Sequence, residues 1–132
     1  MPPRDPLRRT ELHHACAGGD VARIRALLQS GASANVADAA GWTPLHFAAQ
    51  ARSALAAELL IKAGAAVDPL DDHGNSPLFR AVFESRGDEQ VIEVLLAAGA
   101  DPHRQNRYGV SPLSLAHTIE TYDVAKFFPN SR

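Results

Sequence analysis

The stretch TPLHFAAQARSALAAELLIKAGAAVD, Thr43–Asp68, decides how the whole chain is read. A threonine hydroxyl can accept from the free N–H groups of a first helical turn. Pro44 then takes the first helical position, where a missing N–H costs nothing. Ala48 and Ala49 give this short helix a face of small side chains that lets a neighbouring helix approach closely. Leu55, Leu59 and Leu60 recur at helical spacing and mark a second helix. Gly64 stands where a left-handed C-terminal cap is expected.

The same frame occurs in three more places. Reading outward, TELHHACAGGDVARIRALLQSGASAN begins at Thr10, SPLFRAVFESRGDEQVIEVLLAAGADPH at Ser76 and SPLSLAHTIETYDVAKFF at Ser111, with offsets of 33, 33 and 35 residues. The third copy holds two extra residues before Val91, placed at Ser85 and Arg86. Between copies, DAAGW, DDHGN and NRYGV each set Asp or Asn three residues before Gly, which is turn chemistry for a tight hairpin-like link. One such unit cannot bury its apolar side alone, so neighbours stack, and three or more are needed for stability. This predicts an all-α solenoid of four helix–turn–helix repeats, at about 10–37, 38–70, 71–105 and 106–128, within one domain over 10–132. Residues 1–9, with three prolines in the first six, read as an irregular tail. Glu11 in place of proline, and a last copy ending at Phe127, Phe128 and Pro129, mark the terminal copies as caps.

A period of 33 with T-P-L-H and G-A-D marks resembles the ankyrin repeat family. GWTPLHFAA, LLIKAGAAVD and VLLAAGADP follow its pattern almost residue for residue, and the likeness covers roughly residues 10 to 128. It implies L-shaped repeats, each with two antiparallel helices and a projecting loop, stacked into a slab with a concave, loop-bearing face. It also implies that partner contacts fall on the loop tips and the open side of the first helices.

At 45% hydrophobic and 21% charged residues the composition is that of a soluble globular protein. No apolar run approaches the ~20 residues of a membrane span, and no apolar segment follows Arg8 and Arg9 as a secretory signal would require. The lone Cys16 excludes an internal disulfide and fits a reducing, cytoplasmic setting. A net charge of −2 argues against a general nucleic-acid binder. Residues 71–105 are the acidic block at −4, with three arginines against seven acids.

Catalytic and metal chemistry find little support. HHAC (His13, His14, Cys16) offers imidazole and thiolate, but His13 is the frame histidine and Cys16 falls at a small-residue packing position. Asp71, Asp72 and His73 invite an acid–base reading, yet Asp71 is the turn aspartate. No glycine-rich phosphate loop or nucleophile elbow is present. No catalytic residue, cofactor or metal ligand is therefore assigned.

Carried over position by position, the resemblance points to Trp42, Asp72, His73, Asn75, Arg107 and Tyr108 on the loops, with Phe83 and Glu84 on a first helix. Aromatics and arginine are the types enriched at interface hot spots. Arg80 joins this set because it takes the position held by Phe47 and Leu115 in neighbouring copies, so it must snorkel outward or pair with Glu84 or Asp72. Arg80→Ala is then expected to weaken binding with little loss of stability. The expected function is a non-catalytic protein-binding module, monomeric when unbound, that masks a partly basic surface of its partner by occlusion. Treating the chain as a complete protein favours occlusion, since no second domain would act on what is bound. The third and fourth copies are similar to small stand-alone bacterial ankyrin proteins, some of them organised like immunity proteins that neutralise a co-encoded toxin domain. The competing readings are a metal-dependent or enzymatic role at the His/Cys/Asp cluster and a self-associating scaffold.

Overall fold

A computed structural model of the chain describes residues 6–119 and 123–128. Of the segments read above as tail and end cap, residues 1–5 and Pro129 lie outside the described residues. The elements are α1 Glu11–Ala17, α2 Val21–Gln29, α3 Pro44–Gln50, α4 Ala54–Lys62, α5 Pro77–Glu84, α6 Gln90–Ala97 and α7 Pro112–Thr118, then a 3-10 turn at Val124–Phe127. No strand occurs among the described residues. The fourth repeat thus replaces its second helix by that short turn, whose Val124 is fully buried, with Phe128 just after it also buried.

The first helices stack α1–α3–α5–α7 and the second helices stack α2–α4–α6, giving two layers. Leu12, Leu45 and Leu78 from the first layer meet Ile24, Leu60, Ile92 and Leu95 from the second in one continuous core. Fully buried Ala48, Ala49, Ala56 and Ala57 allow the close helix approach that their small size predicts. The four hydroxyl residues sit at N-cap positions as read: His13 N–H donates to Thr10 Oγ1 at 3.3 Å, Phe79 N–H to Ser76 Oγ at 3.2 Å and Ser114 N–H to Ser111 Oγ at 3.1 Å, while Thr43 is tied to the His46 ring. Gly31, Gly64 and Gly99 close the second helices with positive φ.

The two-residue insertion widens a turn. Helices α5 and α6 are separated by five residues, where α3 and α4 are separated by three. Arg86 and Gly87 both take positive φ there, and Asp88 N–H donates to Ser85 O at 2.7 Å.

The links between repeats are three copies of one hydrogen-bonded finger. Asp38 Oδ1 accepts from Ala40 N–H (2.9 Å) and Trp42 N–H (2.8 Å), and Asp38 N–H donates to Trp42 O at 2.8 Å. Asp71 does the same with His73 and Asn75, and Asn106 with Tyr108 and Val110. Neighbouring fingers are joined by Asp72 N–H to Ala40 O and Arg107 N–H to His73 O, each at 3.0 Å. The segment read as tail takes part as well, since Leu7 O accepts from Ala39 N–H at 2.7 Å.

Finger stacking explains two glycines, Gly41 and Gly74, the second with its Cβ position 3.1 Å from Arg107 N. Gly41 has φ +82°, and a Cβ there would stand 3.0 Å from Asp71 Cα and 3.1 Å from Asp72 N. Gly41→Ala therefore meets both left-handed strain, about 1–2 kcal/mol, and a backbone clash. Gly109, at φ +77° with nothing within 4 Å of its Cβ position, meets only the strain. We expect Gly41→Ala to lower unfolding free energy by more than 2 kcal/mol, roughly twice the effect of Gly109→Ala, in parallel urea titrations. Equal losses would show that the fingers part without cost.

Candidate protein-binding face

The fingers and the open sides of the first helices form one face, and its centre is a column of stacked side chains. The Arg80 guanidinium carbon lies 4.9 Å from the Trp42 ring centroid and 5.1 Å from that of Phe83. Trp42 rests on Phe47 at 4.8 Å and on His46 at 5.6 Å. The Arg9 guanidinium carbon lies 5.0 Å from the Phe47 ring centroid. The order Arg9, Phe47, Trp42, Arg80, Phe83 thus brackets an aromatic pair between cations and ends on a ring that is 57% exposed. Such cation–ring contacts are worth about 0.5–1 kcal/mol when exposed and about 2 kcal/mol or more when desolvated.

Both cations have acid partners. Arg9 Nε donates to Asp38 Oδ2 and Arg80 donates to Glu84 Oε1, each at 3.4 Å. Of the two partners open to Arg80 in the sequence, Glu84 takes it, one helical turn on, and Asp72 stays exposed on its finger. Arg80 Nε is buried with no hydrogen-bond partner. An arginine at an aromatic position of the frame is therefore accommodated as the filling of a ring sandwich.

The remaining expected contact residues divide by location. His73 and Tyr108 stack across neighbouring fingertips, centroids 6.3 Å apart and planes at 29°, with the Tyr108 hydroxyl 3.5 Å from His73 Nδ1. Tyr108 is 72% exposed, and Arg107 beside it is exposed too. Asn75 is not at the surface. Its carbonyl accepts from His46 Nε2 at 2.8 Å and its Oδ1 from Asn106 Nδ2 at 2.9 Å, so it binds fingers together. Trp42 is half-buried under Arg80. Arg9 and Phe47 were not singled out in the sequence, because one lay in the segment read as tail and the other filled a frame position. A hollow of about 170 Å³ lies between them and Asp38, Ala40, Trp42 and Gln50.

The histidines of the frame are committed to structure. Thr10 N–H donates to His13 Nδ1 at 2.9 Å, so the Nε2–H faces Trp42 O at 2.9 Å. His46 repeats this with Thr43 N–H at 3.1 Å and Asn75 O at 2.8 Å. Burial lowers both imidazole pKa values from 6.5, against the raising effect of those carbonyl contacts. Burial also pushes the Cys16 thiol up to about 12, the opposite of a reactive thiolate.

The comparisons agree with this architecture. The family of ankyrin repeats (3 copies) matches residues 12–106. The tyrosine-protein kinase HTK16 of Hydra vulgaris is 34% identical over 123 residues, covering 92% of this chain and 16% of the kinase. Human ankyrin repeat and SOCS box protein 3 is 35% identical over 100 residues (72% of this chain, 18% of that protein). The mouse 2-5A-dependent ribonuclease is 38% identical over 99 residues (74% and 9%). The chain belongs to the ankyrin repeat family, whose members are in general protein–protein interaction modules. It spans less than a fifth of the length of these relatives, and the kinase and ribonuclease activities are named for proteins far longer than the shared segment.

Proposed function

We propose that this chain is a non-catalytic, cytoplasmic binding module that holds one protein partner against its finger face. The observation that carries this reading is the Trp42–Arg80–Phe83 sandwich beside the His73–Tyr108 fingertip pair. Together they put exposed aromatic rings and arginine on rigid elements, the composition of interface hot spots. The free faces of Phe83 and Tyr108 supply apolar area. Glu84, Asp72 and the −4 charge of residues 71–105 favour a partly basic partner surface. Masking that surface inhibits the partner by occlusion, and a toxin neutralised by an immunity protein is the particular case favoured by the likeness to small bacterial ankyrin proteins.

The test is recovery of the partner from native lysate on wild-type chain and on a Phe83→Ala/Tyr108→Ala variant, followed by titration calorimetry with the purified partner. Both residues are exposed, so the variant is expected to stay folded, losing about 1 kcal/mol with the Phe83 side of the Arg80 sandwich, while binding falls about thirtyfold or more, the loss of a hot spot. Equal affinity for the two proteins would remove the finger face from the function. Arg80→Ala serves a second purpose. Stacked between two rings, Arg80 is expected to contribute about 1–2 kcal/mol to folding as well as to binding, more than its sequence position suggested.

A further inference from the structure

The stems of the fingers carry a feature that the finger-face reading does not use. Counted from the glycines that close the second helices, Asn35 and Asp68 are counterparts, four residues past Gly31 and Gly64. Asn35 clips its own stem to the next with both ends of its amide. Its Nδ2 donates to Gly64 O at 3.1 Å and its Oδ1 accepts from Ala66 N–H at 2.8 Å. Asp68 makes only the second of these bonds, with Oδ2 accepting from Asp101 N–H at 3.0 Å. Asp101 stands two residues past Gly99 as Ala66 stands two past Gly64, and the two glycines share one backbone turn, at φ +97° and +94°. By that register Asp68 Oδ1 takes the place of the donating Asn35 Nδ2, with Gly99 O as the counterpart of Gly64 O. This oxygen is buried and has no hydrogen-bond partner among the described residues. An ionised carboxylate can only accept, whereas a carboxylic acid carries one O–H donor.

We propose that Asp68 is a proton-operated clip between the stems of the second and third fingers. Ionised, it holds the third stem by one bond. Protonated on Oδ1, it donates to Gly99 O and makes the pair of bonds that Asn35 makes at every pH. Burial of the carboxyl favours the proton, and so does the charge of Asp101 on the loop it holds. The bond from Asp101 N–H and the charge of Arg104 oppose it. A buried ionised oxygen without a donor destabilises the fold, and that cost is relieved as pH falls through the folded-state value of the carboxyl. Asp68 and Asp101 lie three and five residues before Asp71 and Asn106, which build the fingers carrying His73 and Tyr108. Acid therefore ties together the roots of the two fingers whose tips form the exposed ring pair.

The test is Asp68→Asn in the full chain, which places the amide of Asn35 at this position with almost no change of size. Asparagine makes both bonds whatever the pH, so at pH 7 the variant's urea midpoint is expected to stand about 0.5 M above that of the wild type. At about pH 4 the wild type has closed its own clip, and the gain is expected to shrink to less than half. The histidines titrate alike in both chains, so the difference between the two midpoints isolates position 68. Carbon NMR of the native protein reads the same event without unfolding. The Asp68 carboxyl carbon is expected to titrate above 3.8, and the Gly99 carbonyl carbon to follow it with the same midpoint. In the Asn variant the Gly99 carbonyl is expected to lose that response. A variant no more stable than wild type at pH 7, or a gain equal at the two pH values, would overturn the proposal. So would an Asp68 carboxyl that titrates at or below 3.8, or a Gly99 carbonyl that does not follow it.

Discussion

Replacing His46 by alanine is expected to lower the unfolding free energy by roughly 3–5 kcal/mol, close to the whole stability of a marginal domain. The side chain is fully buried. It accepts from Thr43 N–H at 3.1 Å at the start of α3 and donates to Asn75 O at 2.8 Å in the next finger. Alanine removes a packed ring and strands a donor and an acceptor where water does not replace them. The ring also supports Trp42 at 5.6 Å, so the binding column loses its base. Urea unfolding at neutral pH measures the effect, and a loss under about 1 kcal/mol would show that the bridge is dispensable.

The other repeats show what replaces the bridge. At the same frame position repeat four has Ser114, whose Oγ accepts from Ser111 N–H at 2.9 Å and so keeps the local half of it. Repeat three has Phe79, which keeps neither half. There the fingers are joined side chain to side chain by Asn106 and Asn75 at 2.9 Å.

The second large effect is acid lability. His13 and His46 are held neutral in the fold, with pKa values below the 6.5 of the free side chain. A lowered folded-state pKa means that the unfolded chain binds more protons between the two values, so the stabilisation is complete above 6.5 and is lost as pH falls below it. From about pH 7.5 to about pH 5.5 each histidine is expected to remove stability on the order of 1 kcal/mol as the unfolded chain takes up its proton first. Asp68 works in the opposite sense. Burial raises its carboxyl above 3.8, so it adds stability as pH falls through that folded-state value. Urea midpoints taken across this pH range measure the sum. A wild type whose stability is flat from neutral pH to about pH 5.5 would mean that both rings are protonated in the fold.

Reversing which acid pairs with Arg80, or which finger residue is buried, changes nothing in the 33-residue pattern, and this marks the boundary of what could be read from residues alone. The period, the hydroxyl–proline helix starts, the small-residue faces, the turn Asp or Asn and the closing glycines are local rules repeated several times, so the order of helices followed from the sequence, whereas of the leucines that marked the second helix Leu60 is buried and Leu55 is 56% exposed. Phe83, His73, Tyr108, Arg107 and Asp72 were likewise placed at the surface by their register in the frame. The tertiary structure decided the rest, because those properties depend on what a neighbouring repeat brings within a few ångströms. Stacking buried Asn75 under the third finger, covered Trp42 with Arg80 from the next repeat, and drew Arg9 from beyond the pattern onto Phe47. Periodicity fixes where a side chain starts on its own helix or finger. Packing between repeats fixes what it meets, and from that come its exposure, its charge partner and its use.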